Sequence, residues 1–359
     1  MTNPTARGGR VRFGALVGVA LLALAACGEQ GGDQSALRPA GDVAREADSL
    51  WDLTFGIAAV VFVLVEGALI YAVIKFRKRP GREPAQFHGN TRIEVLLTVV
   101  PALILAGIAV PTVQTIFQSS EIPRNALEVK IIAHQFWWEY QYVDEGVVTA
   151  NELHMPTNQP VYLTLEGELV DRVDTSQPEV NHSFWVPRLG GTQDIVPGRV
   201  NHLVYEADEP GTYLGQCKEF CGLGHAYMRL RAIAHTPEEF EQWLADQKEP
   251  APAPQSGLAA EGADLFVNGP QSGQWAEGYT CASCHAADTT EIASQNVGPN
   301  LTHFAERQTF ASGIFENNAD NLAAWLDDPA GVKPGARMPT LGLTQEEIDA
   351  LIAYLETRN

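Results

Sequence analysis

The sequence predicts a multidomain membrane protein made of a two-helix transmembrane hairpin, an all-β sandwich and an all-α domain. Two apolar runs near the N-terminus are long enough to cross a bilayer, and the middle of the chain alternates β-forming residues with a period of two. Helical patterns follow a Pro-rich stretch near the C-terminus. These observations place the hairpin at residues 51–119, the sandwich at 120–248, a linker at 249–258 and the helical domain at 259–359.

The first 26 residues have the features of a secretory signal peptide. Three arginines precede an apolar run from Phe13 to Ala26, which ends in Leu-Ala-Ala-Cys. This ending resembles the lipoprotein box of exported bacterial proteins and implies that Cys27 is lipidated after cleavage, with ordinary cleavage or an uncleaved anchor as alternatives. Residues 27–50 are largely polar and contain glycine, which predicts a tether.

The hairpin is predicted from two apolar runs. Residues 53–74 are 22 residues with one charge, and residues 95–117 are 23 residues with none. About 20 residues suffice to cross a bilayer as a helix. The intervening loop carries six basic residues against one acidic residue, so the positive-inside rule places it in the cytoplasm. We therefore expect a bacterial inner (plasma) membrane protein with its N-terminus and C-terminal domains on the periplasmic side.

Two carboxylates lie in or near the predicted spans. Glu66 sits in the middle of the first span, where a charge is costly. It therefore either faces another subunit or stays neutral and hydrogen-bonded within the bundle. Glu94 lies at the start of the second span, where a carboxylate also complements the helix dipole.

The charge distribution excludes nucleic acid as a partner. The formal net charge is −20, and residues 120–359 hold 13 Lys and Arg against 35 Asp and Glu. Such a surface repels phosphate and favours a basic partner, or it simply keeps the domains soluble.

The sandwich is predicted from short β-forming runs separated by turn residues such as Asp144-Glu145-Gly146. The predicted strands cover residues 127–132, 136–143, 161–165, 200–205 and 229–234. A short helix follows from Thr236 to about Lys248, with proline in its first turn and acids close behind. Alternating prolines after this helix predict a semi-rigid extended spacer between the two domains.

A cluster of soft metal ligands lies between the last predicted strands. Cys217, Cys221, His225 and Met228 fall within twelve residues, a set that selects copper or a related thiophilic metal. Nearby glycines predict a tight loop at residues 215–224, which lets both sulfurs turn inward together. A disulfide is the alternative for the two cysteines, and zinc is disfavoured because it rarely binds methionine.

A second motif lies in the helical domain. Cys281, Cys284 and His285 form a Cys-x-x-Cys-His run, which supplies two thioether links and one axial nitrogen to haem c. The second axial ligand must come from Met338 or His303, because this domain has no other methionine or histidine. A thioredoxin-like cysteine pair or a zinc site is the alternative.

These motifs resemble those of cytochrome c oxidase subunit II, of the caa type with a C-terminal cytochrome c fusion. The resemblance is carried by the Cys217–Met228 run, the Val180–Pro187 segment and the Ile195–Arg199 segment. It implies a cupredoxin-like sandwich with a dinuclear copper A centre. The implied ligands are His182, Cys217, the backbone carbonyl of Glu219, Cys221, His225 and Met228. Sequence spacing alone does not select His182 from the other histidines upstream.

The same resemblance assigns roles outside the copper ligands. The Glu219 side chain would face a magnesium site shared with subunit I. Glu94, in Ile-Glu-Val-Leu-Leu-Thr-Val-Val-Pro, matches the family's glutamate at the mouth of a proton channel. In the family a Trp directly after His-Gln receives electrons. Here Phe136 occupies that position with Trp137 beside it, which puts the usual docking route in doubt.

The C-terminal domain resembles a class I cytochrome c. Met338, in Lys-Pro-Gly-Ala-Arg-Met-Pro, resembles the methionine loop of that family, and the Gly298–Leu301 segment resembles its turn against the haem. The resemblance therefore implies His285 and Met338 as axial ligands and leaves His303 at the surface or near a propionate.

The resemblance implies an electron-transfer subunit of a proton-translocating oxidoreductase. Electrons would pass from a cytochrome c or another periplasmic donor through haem c to the copper pair, and then to haem in subunit I, where oxygen is reduced to water. The expected partners are subunits I and III, that donor and the lipid bilayer. A copper A nitric oxide reductase subunit and a copper chaperone or thiol-redox factor are the competing classes. Quinol oxidase subunits of this fold lack the copper ligands.

Overall fold

The computed structural model describes residues 32–78, 80–81, 88–167, 180–270, 280–287 and 297–359. The predicted signal peptide, Cys27 and part of the basic loop lie outside the described residues. The described chain forms two long helices, a sandwich of two five-stranded sheets and a small helical domain. The predicted fold class is therefore confirmed.

The hairpin consists of α1 (Asp42–Lys75) and α2 (Thr91–Ser120), both long and apolar enough to cross a membrane. Their apolar side chains face outward, as expected where lipid replaces water. The Asn90 side chain caps α2 by accepting hydrogen bonds from the Arg92 and Ile93 amides. The two runs read from the sequence thus lie inside two continuous helices.

The prediction of a tether was wrong for residues 42–50, because α1 already begins at Asp42. The backbone just before the helix is held by the sandwich: the Ala40 amide donates to the Arg188 carbonyl at 2.8 Å, and the Ala40 carbonyl accepts from the Asp208 amide at 2.9 Å. Arg45 in the first turns pairs with Asp208. These contacts hold a segment whose polar composition alone had predicted a tether.

The first sheet consists of β1 (Leu127–His134), β2 (Trp137–Tyr142), β3 (Val147–Ala150), β5 (Val161–Gly167) and β8 (Asn201–Tyr205). Their order across the sheet is β3-β2-β1-β5-β8. The second sheet consists of β4 (Glu152–Pro156), β6 (His182–Trp185), β7 (Thr192–Ile195), β9 (Gly211–Cys217) and β10 (Arg229–His235). Their order across the sheet is β4-β10-β9-β6-β7. Side chains from both sheets, such as Ile131, Leu163 and Phe184, are fully buried between them.

All five predicted strands are present, but the prediction of a tight loop beginning at Gly215 was wrong. Gly215 lies inside β9 and pairs with Leu230 of β10. The β9 sequence is poor in β-branched residues, so its strand structure comes from hydrogen bonds to β10 on one side and β6 on the other. The loop that holds the remaining ligands begins only after Cys217.

The helix predicted after the sandwich is α3 (Pro237–Lys248). Thr236 and Glu239 form a capping box at its start. The C-terminal domain then follows with α4 (Leu258–Asn268), β11 (Thr309–Phe310), β12 (Phe315–Glu316), α5 (Ala319–Asp327), α6 (Pro329–Val332) and α7 (Gln345–Leu355). Apolar side chains of α4 and α7, including Leu265 and Leu351, form its buried core.

The linker between the domains is attached rather than free. Arg358 near the C-terminus is 1% exposed, and its guanidinium donates to the carbonyls of Ala251, Pro252 and Ala287. Two of these carbonyls lie in the linker, and the third follows the Cys-x-x-Cys-His run. Burial of this cation therefore ties the linker to the haem-attachment segment.

Candidate copper and haem sites

The candidate copper ligands come from one end of the second sheet, where β6 begins and β9 ends. His182 begins β6, Cys217 ends β9, and Cys221 and His225 lie in the loop that leads to β10. Two backbone hydrogen bonds hold this loop: the Cys217 amide donates to the Met228 carbonyl at 2.9 Å, and the Lys218 amide donates to the Ser183 carbonyl at 3.0 Å. Ligands that are distant in sequence are thus fixed by sheet pairing.

Thiol and imidazole groups converge at this end of the sheet. The Sγ atoms of Cys217 and Cys221 lie 3.9 Å apart, and both cysteines are free thiols in the structure. The Nδ1 atom of His182 lies 3.9 Å from the Cys217 sulfur, and the Nδ1 atom of His225 lies 3.8 Å from the Cys221 sulfur. The structure therefore does not contain the alternative disulfide, and each sulfur faces one imidazole.

Two weaker donors complete the arrangement. The Sδ atom of Met228 lies 3.9 Å from the Cys221 sulfur, and the Glu219 carbonyl oxygen lies 3.2 Å from the Cys217 sulfur. The donor set thus contains two thiols, two imidazoles, a thioether and a carbonyl oxygen around one centre. This soft set would hold copper ions, which prefer thiolate, imidazole and thioether ligands.

The site is dry on its inner side. His182, Cys217, Cys221 and Met228 are all less than 5% exposed. Trp138 is fully buried, and its ring meets the His182 ring edge-on at a centroid distance of 6.1 Å. Exclusion of water on this side limits how far the ligand environment rearranges when charge changes.

The aromatic residues near the ligands do not all contribute to this shell. Phe184 is fully buried and packs edge-on against Trp138, with ring centroids 5.1 Å apart. Phe220 is 73% exposed, so it does not shield the sulfurs within this chain. It follows Glu219 in the loop, and its ring lies 5.7 Å from the His225 ring, measured between ring centroids.

The two thiols face each other as a hydrogen-bonded pair. This contact lowers the pKa of Cys217, which favours its thiolate, and raises the pKa of Cys221. A thiolate is the form of cysteine that ligates metals.

The other histidines upstream have different surroundings. His134 pairs with buried Glu139 at 3.0 Å, and His154 pairs with His235 at 2.8 Å. His202 stacks on Tyr162 at the far edge of the first sheet. Among the histidines before Cys217 that the structure describes, only His182 groups with the two cysteines of the sandwich. The tertiary fold thus selects His182 from the upstream histidines, a choice that sequence spacing left open.

The second candidate site is a cavity in the helical domain. Cys281, Cys284, His285 and Met338 all line it, together with apolar side chains such as Leu351. The Nδ1 atom of His285 lies 2.8 Å from the Pro299 carbonyl oxygen, which leaves Nε2 as the free ring nitrogen. Desolvation by burial lowers the pKa of His285, which favours the neutral ring. These residues fit a covalently attached haem with one imidazole ligand.

Met338, rather than His303, faces this cavity. His303 is 7% exposed and does not line the cavity, so its expected place at the surface was wrong. It lies on a segment that also supplies Phe304 to the core. The structure thus places one thioether and one imidazole at the same cavity.

Gly298 lies directly against the His285 ring. A Cβ atom at this position would be 2.8 and 2.9 Å from the two ring nitrogens. We expect Gly298→Val to displace the imidazole, because overpacking costs about 1–3 kcal/mol and the ring is the nearest group that can move. The visible spectrum of the purified chain should then change from low-spin to high-spin haem. Gly191→Val is the matched control, since nothing lies within 4 Å of its Cβ position. An unchanged spectrum for Gly298→Val would contradict this geometry.

Phe136 lies in the turn between β1 and β2, Trp137 is the first residue of β2, and neither faces outward. They are 9% and 7% exposed, and both line the cavity that contains Met338. Their position between the two candidate sites was not predicted from the sequence. Gln135 and Lys333 were also missed: Gln135 donates to the Cys221 carbonyl at 2.6 Å, and Lys333 donates to the Phe136 carbonyl at 3.0 Å. No sequence motif signals these contacts.

Three predicted carboxylates lie away from both cavities. Glu94 is in the first turn of α2, and Glu66 lies in the middle of α1. Both are exposed in the chain by itself. The side chain of Glu219 is also exposed, although its carbonyl faces Cys217. All three side chains are therefore exposed on the surface of this chain.

Three family models match the chain. The cytochrome c oxidase subunit II transmembrane domain matches residues 34–115, its periplasmic domain matches residues 127–234, and cytochrome c matches residues 259–359. The periplasmic-domain match implies copper A, and the cytochrome c match implies haem.

The chain is similar over most of its length to two proteins named cytochrome c oxidase subunit 2. It is 35% identical over 332 residues to that of Alkalihalophilus pseudofirmus, with 90% of each chain covered. It is 35% identical over 366 residues to that of Bacillus sp. strain PS3, with 96% of each chain covered. A crystal structure of the periplasmic domain of subunit II from Bradyrhizobium japonicum is 27% identical, with a TM-score of 0.32, and covers 36% of this chain and 97% of its own.

Proposed function

The chain belongs to the cytochrome c oxidase subunit II family and carries a C-terminal cytochrome c domain, and we propose that it relays single electrons from a cytochrome c-type donor to subunit I. It is thereby one subunit of an oxidoreductase, a haem-copper terminal oxidase. The proposed route runs from the donor to the haem of this chain, then to the copper pair, and then to haem in subunit I, where oxygen is reduced to water.

The observation that carries this proposal is the convergence of six donors at Cys217 and Cys221. When bound, the copper pair and the haem iron each supply a one-electron couple. The residues around the copper pair have to keep the same geometry in both redox states. The hydrogen bonds from the Cys217 and Lys218 amides and the buried ring of Trp138 support that requirement.

The residues at the haem cavity have separate roles in attaching and ligating the haem. Cys281 and Cys284 would attach the haem covalently, and His285 and Met338 would bind its iron. The Pro299 carbonyl fixes the ring of His285 through Nδ1. A carbonyl acceptor at this nitrogen orients an imidazole ligand and raises its basicity.

The contacts with the membrane and with other subunits are part of the proposal. We place the basic loop in the cytoplasm and both redox domains on the periplasmic side of a bacterial inner membrane. Glu94 would admit protons to subunit I, and Glu219 would share a magnesium ion with it. Subunit III is a further expected partner, and oxygen reduction would be coupled to proton transport. Lipidation at Cys27 and cleavage of residues 1–26 complete the proposed maturation.

The experiment that tests this proposal is a paired optical and electron paramagnetic resonance spectrum of the purified oxidase complex. We expect the absorption of haem c together with a copper signal in which two coppers share one unpaired electron. Both should respond to a one-electron donor, ascorbate with a redox mediator, before oxygen is admitted. A mononuclear copper signal, or a cystine between Cys217 and Cys221, would overturn the assignment.

A further inference from the structure

The haem domain packs against the sandwich over the turn between β1 and β2, which we call the entry turn (residues 134–137). We propose that buried Lys333 clamps the haem domain onto the entry turn, so that this chain's own haem occupies the electron-entry surface of the copper centre and excludes an external donor from it. The inference rests on the proposed function, because it concerns the route between the two redox groups.

The first observation is the environment of the Lys333 ammonium group. Lys333 is 3% exposed, although lysine is rarely buried without partners. Its Nζ atom donates to the Phe136 carbonyl at 3.0 Å, the Ala311 carbonyl at 3.0 Å and the Ser312 hydroxyl at 2.8 Å. The Ser312 hydroxyl donates in turn to the same Phe136 carbonyl. An ammonium group has three donors, and here all three are used, one of them across the domain boundary.

A second anchor lies on the same segment of the haem domain. Glu152 of β4 is 0% exposed, and its carboxylate accepts from the Thr309 amide at 2.8 Å, the Thr309 hydroxyl at 3.0 Å and the Gln308 amide at 3.2 Å. Between the two anchors, the Arg229 amide donates to the Ser312 carbonyl at 3.1 Å. Burying two charges is tolerated only when their hydrogen-bonding groups are matched, so these contacts define one docked orientation.

The docked orientation brings the methionine loop onto the copper loop. Gly335, three residues before Met338, lies so close that a Cβ atom there would be 2.6 Å from the Gly224 amide nitrogen. Gly224 itself packs on the Phe136 ring, where a Cβ atom would be 2.9 Å from Cε2. His225 is the next residue. Short covalent segments and direct contacts therefore join the Met338 loop to a candidate copper ligand.

The same packing explains why an external donor cannot reach the entry turn. Phe136 and Trp137 line the haem cavity and are less than 10% exposed, so an external protein cannot stack on either ring while the domain is docked. The donor must therefore deliver its electron to the haem. A tryptophan suited to an external partner is not required at position 136, where the ring packs against Gly222 and Gly224.

The test uses the full chain in its oxidase complex and compares wild type with Lys333→Met. Hydrogen exchange by mass spectrometry reports opening of the entry turn in both the metal-free and the copper-loaded protein. We expect exchange at residues 134–137 to rise about tenfold or more, since hydrogen bonds to charged groups are among the stronger ones. After flash reduction of the haem, electron transfer to copper should slow by the same factor by which the docked population falls.

The control is Lys248→Met, which removes a surface lysine paired with Glu145 on the sandwich alone. It should leave both readouts unchanged. Ser312→Gly tests the clamp without removing the lysine, because Ser312 already has a φ of 65° that glycine adopts without strain. It should change both readouts in the same direction. Retained haem absorption and protected α4 and α7 amides show that the haem domain stays folded.

Two results separate the clamp from the proposed function. If wild type transfers electrons from haem to copper while Lys333→Met and Ser312→Gly keep wild-type exchange and rates, the clamp is refuted and the relay stands. If wild type shows no haem-to-copper transfer, the relay itself fails. Increased exchange at the entry turn with an unchanged transfer rate also refutes the clamp as a positioning device.

Discussion

Replacement of Cys217 by serine should abolish the copper signal of the complex and leave its haem absorption intact. The Cys217 sulfur lies 3.9 Å from both the Cys221 sulfur and the His182 Nδ1 atom, and 3.2 Å from the Glu219 carbonyl oxygen. A serine hydroxyl is a hard, protonated group at neutral pH and cannot bridge two soft metal ions. Loss of an outer-shell partner alone costs about 10–100-fold in metal affinity, so loss of this ligand should cost more.

The measurements are the electron paramagnetic resonance spectrum, the copper content and oxygen consumption by the purified complex. Oxygen consumption should fall with the copper content, since the route to subunit I is then broken. Cys281→Ser serves as the reciprocal variant: it should lose one haem linkage and keep the copper signal. If Cys217→Ser removed haem and copper together, the two sites would not be separable and the assignment of ligands would have to be revised.

Replacement of Met338 by alanine should lower the reduction potential of the haem and change its spin state. A thioether ligand raises the potential of a His-ligated haem, and axial ligands together span about 0.8 V. A decrease on the order of 0.1 V would make the haem accept electrons from a given donor at least about tenfold less readily, since about 59 mV corresponds to a factor of ten. Steady-state oxygen consumption should fall accordingly.

The measurement is a potentiometric titration of the haem absorption with the copper signal recorded in parallel. Met155→Leu is a suitable control, because Met155 is fully buried in the sandwich, away from the haem cavity. It should change neither the potential nor the spin state. If Met338→Ala left the haem unchanged and His303→Gln shifted it, the second axial ligand would be His303 and the cavity would have rearranged on binding haem.

The two metal motifs could be recognised from sequence because their ligands lie close together along the chain. Cys217 ends β9 and is followed within one loop by Cys221, His225 and Met228, and Cys281, Cys284 and His285 are held in one turn. Local spacing therefore determines which donors can meet. The membrane helices could be recognised for a similar reason, since hydrophobic length is a property of the continuous chain.

Strand β9 and the start of α1 show where local pattern was insufficient. Residues 211–217 have a weak strand signal, and pairing with β6 and β10 makes them a strand. Residues 42–50 have a polar composition, and contacts of Ala40 and Arg45 with the sandwich accompany their helix. In β9, hydrogen bonds from residues more than ten positions away outweighed the local preference.

The sequence by itself determined the chemistry of this protein: which side chains can bind copper, which can attach haem, and which segments can cross a membrane. Only the tertiary structure decided how the two redox sites face each other. The partnership of Lys333 with Phe136, and of Glu152 with Thr309, joins residues more than 150 positions apart. No periodicity or motif encodes such pairs, because they arise when two separately folded domains bury matched polar groups against each other.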